Sequence, residues 1–187
     1  MGRLTRLSAK LASQNANKLR ELRSALPDWE LELLDASDYP PESGATYYEN
    51  ARGKAVYGRS VDPGSWILGE DSGIEADALG GRPGVASARW ADDGVAALLA
   101  ALEGETTRRA RYVCELVALS REGDEVRGTG TVEGTIATDP RGTEGFGYDP
   151  IFIPDGATQT VAELGNEWKA RNSHRARAAR DLATRIP

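Results

Sequence analysis

One segment constrains the fold more than any other: residues 65–71, SWILGED, run a compact apolar stretch straight into two acids and then into Ser72 and Gly73. Trp66, Ile67 and Leu68 in succession read as a buried strand, with Ser72 and Gly73 as the turn that closes it. In an open α/β sheet, acids at the carboxyl end of a strand sit where ligand clefts form. Adjacent strand residues point to opposite faces, so Glu70 and Asp71 reach one spot only if the strand is already turning there.

A buried strand needs partners, and the flanking chain supplies them. In LRELRSAL, Leu19, Leu22 and Leu26 share one helical face, with an amino-terminal cap among residues 15–17 and a stop at Pro27. WELELL alternates as a strand. Residues 46–60 read as a helix, GGRPG as a tight loop, and Asp92 or Asp93 as the cap of an Ala/Leu-rich helix ending near Gly104. Residues 109–120 and 125–138 read as a hairpin, in which Gly128, Gly130 and Gly134 predict bulges or close backbone approach. Residues 162–186 are helical in two pieces, with Ser173 capping the second. The uneven alternation of strands and helices predicts an α/β or α+β fold with a mixed sheet. With 187 residues, one domain spanning 1–187 is expected.

Charge and composition narrow the function. The net charge of −6 disfavours binding to nucleic acid. The longest apolar run, residues 95–102, is far short of the roughly 20 residues that cross a bilayer, so no membrane segment is expected. The start, MGRLTRLSAK, lacks the apolar core of an export signal, and Arg6 breaks the myristoylation pattern. The single cysteine, Cys114, lies in an apolar stretch and reads as a buried thiol; a cytoplasmic location fits.

Several residues carry possible chemistry. Lys18 stands in the first turn of a helix, against the positive end of the macrodipole; an anion there reverses the unfavourable sign. Its alternative is a solvated surface lysine. Glu49, Glu70 and Asp71 form an acidic set, and carboxylates alone favour hard Mg²⁺ or Mn²⁺ over zinc. A single histidine, His174, and a lone cysteine cannot build a zinc site. In PRGTEGFGYDP, Phe146 offers a stacking face and Asp149 an acceptor, unless the aromatics simply fill the core. P-loop, GxSxG and GxGxxG motifs are absent.

Taken in order, these segments resemble the inosine triphosphate pyrophosphatase family, which hydrolyses non-canonical purine nucleoside triphosphates. SQNANKLREL resembles its [ST]xNxxK opening, TYYENARGKA its xxENAxxKA helix, and GEDSGIEADALGGRPGVASARW its DDSGLxVDALxGxPGxxSARY block. GFGYDPIF and SHRARA resemble its last two motifs, and the likeness runs over residues 13–180. Gln14 stands where the family often has glycine, and Glu70 replaces the first Asp of DDSG.

The resemblance implies an elongated mixed sheet with flanking helices and two lobes around a central nucleotide cleft, commonly as a homodimer. It implies that Ser13, Gln14, Asn15, Ala16, Asn17, Lys18 and Ser72 bind triphosphate, with Lys54 joining them. Glu49 and Asp71 are implied to hold Mg²⁺, with Glu70 nearby and Mn²⁺ as a substitute, and Asp71 to accept a proton. Phe146, Gly147, Tyr148 and Asp149, with Lys169, His174 and Arg175, are implied to receive the nucleoside. The expected reaction converts dITP, ITP or XTP to the monophosphate and pyrophosphate. The alternatives are a pyrophosphatase for other modified nucleotides and a nucleotide-binding sensor without turnover.

Overall fold

The computed structural model describes residues 7–186. The residues behind the export and myristoylation readings, up to Arg6, lie outside that range. A six-stranded mixed sheet runs in the order β2, β1, β3, β4, β5, β6. Its strands are β1 (Leu7–Leu11), β2 (Trp29–Leu33), β3 (Trp66–Ala76), β4 (Arg109–Leu119), β5 (Glu125–Ile136) and β6 (Phe152–Pro154). β1 is parallel to β2 and β3, and the remaining pairs are antiparallel. Among the described residues no helix is long and apolar enough to cross a membrane.

Local signals account for most helix boundaries. Asn15 caps α1 (Ala16–Ala25) through its side chain, and Asp93 caps α3 (Gly94–Ala101). α2 (Tyr47–Val61) begins with a reciprocal capping box in which the Thr46 hydroxyl accepts from the Glu49 N–H and the Glu49 carboxylate accepts from the Thr46 N–H. Such a cap contributes about 1 kcal/mol. Ser173 ends α4 (Val161–Asn172) and caps α5 (His174–Ala183), which gives the two helical pieces their joint.

The expected end of β3 at the acids is corrected. β4 pairs with β3 from Ile67 to Ala76 without interruption, so Ser72 and Gly73 are strand residues. β1, however, pairs with β3 only as far as Leu68. Beyond that point β1 leaves the edge of β3, which has no strand beside it until Ser87 bonds to Ile74 and Pro83 bridges to Glu75, and this gap places the site.

Strand alternation sorts the core. Leu68, Cys114, Leu116 and Ala118 pack under α1 and α5 with Leu19, Leu22, Ala178 and Leu182. Ile67, Val117 and Leu119 pack under α2 with Ala51 and Ala55 on the other face. α1 and α2, which follow β1 and β2, therefore lie on opposite faces, and the end of β1 is a topological switch point where open α/β sheets bind ligands. A third apolar cluster at the far end joins Ile74, Tyr112, Phe152 and Val161 with Leu98 of α3. The β4–β5 register holds without a bulge, so the hairpin glycines serve close approach. At Gly130 a side chain would strike the α5 backbone, and at Gly69 the α2 backbone.

Candidate active site

Two cavities of about 550 Å³ each open beside the carboxyl end of β1. Asn15, Lys18 and Ala88 line both. The first takes Phe146, Gly147, Tyr148, Asp149, Lys169, His174 and Arg175, every residue that the resemblance assigned to a nucleoside. The second takes Ser13, Gln14, Asn15, Ala16, Lys18 and Lys54, most of the expected triphosphate set, together with Tyr39 and Glu42. Two expected members are placed elsewhere. Asn17 lines neither cavity, its N–H donating to the Asn15 side chain. Ser72 lines the first cavity, where its hydroxyl accepts from Arg175 at 2.9 Å.

Lys18, Asp149, Lys169 and Arg175 of the first cavity are joined behind its wall by Glu21 and Glu70 into a chain of alternating charges. Asp149 meets Lys169 at 2.5 Å, Lys169 meets Glu21, Glu21 meets Arg175, Arg175 meets Glu70 at 2.8 Å, and Glu70 meets Lys18 at 2.6 Å. Arg175 is only 2% exposed, so these contacts form where little water competes. Lys169 and Arg175 both lie against the Phe146 ring, at 4.4 and 5.6 Å from its centroid. The Tyr112 ring stacks on His174 at 4.4 Å, and its hydroxyl donates to Asp149. Burial, reinforced by the Arg175 charge, holds the His174 pKa well below its usual value and keeps the ring neutral. Burial likewise raises Asp149, against the pull of Lys169.

Glu70 and Asp71 face opposite ways. Glu70 is fully buried on the α1–α5 face; burial alone would raise its pKa, but Arg175, Lys18 and Lys54 hold it well below the carboxylate range. It supplies the anion that Lys18 requires, and Cys114 lies buried beside it. Arg175 donates to Glu70 Oε1 and Lys18 pairs with its Oε2, so both oxygens face cations of the protein itself. Asp71 turns to the α2 face, where Asn50 donates to it at 2.9 Å and Lys54 approaches at 3.5 Å. Burial raises its pKa, partly offset by Lys54. Asp71 lines neither cavity; Lys54 stands between it and the second.

Glu49 stands apart from these two acids. Its carboxylate accepts the Ala45 and Thr46 N–H groups as the cap of α2 and lines neither cavity. The acid beside Lys54 and Asp71 is Glu42, which pairs with Lys54 and with Arg89 at 2.5 Å. Glu42 and Asp71 thus share one ammonium, and this all-oxygen pair fits a hard divalent cation. Among the described residues no three acidic, histidine or cysteine side chains cluster to hold a metal by themselves. A cation completed by substrate phosphates suits such a sparse set. Glu21 and Glu42 went unnoticed in the sequence. Glu21 looks like one more polar position of an amphipathic helix, and Glu42 like one acid in a polar loop.

The Ham1 family model matches residues 9–185. A protein of Exiguobacterium sp. named dITP/XTP pyrophosphatase is 42% identical, covering 94% of this chain and 95% of that protein. One of the same name from Symbiobacterium thermophilum is 46% identical, over 95% and 93%. The structure of a HAM1 protein from Coxiella burnetii superposes with a TM-score of 0.83 at 35% identity, covering 95% of this chain and 97% of that one.

Proposed function

The chain belongs to the Ham1 family, and from that premise we propose that its two joined cavities bind a non-canonical purine nucleoside triphosphate, which is hydrolysed to the monophosphate and pyrophosphate. One observation carries this reading. Lys18 lines both cavities, so a nucleotide with its base among Phe146, His174 and Arg175 runs its phosphates past Lys18 toward Lys54 and the turn at residues 13–16. The positive end of the α1 dipole and the two ammonium groups complement phosphate charge.

Water attacks the α-phosphorus. Asp71, raised by burial and oriented by Asn50, accepts the proton. An incoming triphosphate competes for Lys54, and moving that ammonium onto phosphate frees a carboxylate oxygen of Asp71 or Glu42. Lys18 and Lys54 then offset charge on the departing pyrophosphate. Glu42 and Asp71 would hold Mg²⁺, with Mn²⁺ as a substitute; when bound it would neutralise phosphate charge and lower the pKa of water.

Rejection of adenine follows from hydrogen-bond polarity. Hypoxanthine and xanthine present an acceptor at position 6 and a donor at N1, whereas adenine reverses both. Arg175 and Lys169 are donors only, so either one placed at position 6 meets an acceptor on hypoxanthine or xanthine and an N–H on adenine, and such a mismatch reduces kcat/KM by a factor of about 10⁴. The test is a substrate panel of ITP, dITP, XTP, GTP, ATP and a set of modified pyrimidine triphosphates, read by release of pyrophosphate. Equal rates on ITP and ATP contradict the readout. Turnover confined to modified pyrimidine triphosphates would favour the alternative substrate class. We further infer one domain, a homodimeric assembly and a cytoplasmic location, consistent with the charge and the family resemblance.

A further inference from the structure

Tyr39 lies in the loop between β2 and α2 and lines the cavity assigned above to the phosphates, beside Lys18, Glu42 and Lys54. Its hydroxyl is buried and has no hydrogen-bond partner among the described residues. Buried polar groups are almost always paired, so an orphan beside a cavity calls for an acceptor from outside the protein. The loop holds the group in place from several sides. Gln14, which stands where the family often has glycine, donates to the Ser37 carbonyl and ties the loop to the phosphate turn. The Tyr39 ring packs against Tyr57 of α2 at 5.0 Å, and Glu42 is fixed by Lys54 and Arg89. Burial raises the hydroxyl pKa and keeps it a donor, although the Lys54 charge acts in the opposite sense.

We propose that the Tyr39 hydroxyl is a further substrate-binding group, donating a hydrogen bond to a phosphate oxygen at the polyphosphate end of the cleft. Phosphate oxygens are acceptors only, and Lys54, whose charge acts on the hydroxyl, draws the same anion. This assignment rests on the triphosphate reading of the second cavity. The bond forms equally in bound substrate and transition state, so its removal weakens binding more than turnover.

Tyr39→Phe removes only the oxygen. Inorganic pyrophosphate with Mg²⁺ is titrated calorimetrically into the wild-type protein and the variant, alongside KM and kcat for ITP and melting of each free protein. The proposal expects about tenfold weaker pyrophosphate binding in the variant, a raised KM, kcat within about twofold, and a melting temperature unchanged or higher. Equal pyrophosphate affinity and equal KM in the two proteins overturn it. A variant that melts well below the wild type without ligand also overturns it, because the hydroxyl then has a structural partner. Wild-type protein that turns over ITP yet binds no pyrophosphate sinks the phosphate reading of the cavity itself, a failure distinct from an unchanged variant.

Discussion

Glu70 and Asp71 are consecutive residues of one strand that serve opposite faces of the sheet: Arg175 and Lys18 enclose the first, Asn50 and Lys54 hold the second. The open edge of β3 beyond Leu68 lets the two faces meet, since Lys54 reaches around to donate to the Glu70 carbonyl at 2.9 Å. Lys18 and Lys54 consequently come to one cavity from opposite sides.

Arg175 joins Glu21 and Glu70 in the interior, so Arg175→Met leaves two buried carboxylates short of a partner. Removing one member of a buried ion pair costs about 3–5 kcal/mol. For a chain of this length the melting temperature should fall by roughly 10 °C. A fall of only one or two degrees would show that the buried pairs of Arg175 contribute little to stability.

The acids of the α2 region separate by role. Glu49→Ala should lower stability by about 1 kcal/mol through loss of the cap and leave kcat on ITP nearly unchanged below the melting transition. Glu42→Gln should raise the Mg²⁺ concentration needed for half-maximal rate at least tenfold. The reverse pattern would return the metal-ligand role to Glu49.

Asp71→Asn should abolish turnover while nucleotide binding, followed by calorimetry with ITP, persists. Retained activity removes Asp71 from proton transfer.

His174 gives stability a pH dependence of definite sign. Its folded pKa lies well below the unfolded value of about 6.5, so protons bind the unfolded chain preferentially. The stabilisation is complete above about pH 6.5 and declines by up to about 1.4 kcal/mol per unit as the pH falls toward the folded value. Asp71 and Asp149, with raised pKa values, act oppositely: their contribution is lost as the pH rises through the folded pKa. The difference between denaturation curves of wild type and His174→Gln isolates the histidine. A difference that does not vary between pH 7.5 and 5.5 would mean that the ring titrates alike in the folded and unfolded protein, and one that grows as the pH falls would mean that the folded protein holds it protonated.

Much of this architecture is legible locally. Asn15, Asp93 and Ser173 cap helices through hydrogen bonds to residues two or three positions on, and such signals survive in a linear chain. Thr46 and Glu49 carried the same kind of signal, a Thr-x-x-Glu box, but the family motif drew Glu49 toward metal instead. The length of β3 was hidden because its last residues are set by pairing with β4, some 40 positions away, which overrides the turn preference of Ser72 and Gly73. Glu21 was hidden more deeply: its partner Arg175 lies 154 residues along the chain, and nothing near Glu21 marks it as buried.

The central claim is attack at the α-phosphorus in a cleft selective for 6-oxopurines. Hydrolysis of ITP in ¹⁸O-labelled water with Mg²⁺, followed by mass analysis of both products, tests it most directly. One labelled oxygen in inosine monophosphate and none in pyrophosphate is the predicted result. Label in pyrophosphate, or orthophosphate as the first product, would place the cleavage at a different bond and contradict the account.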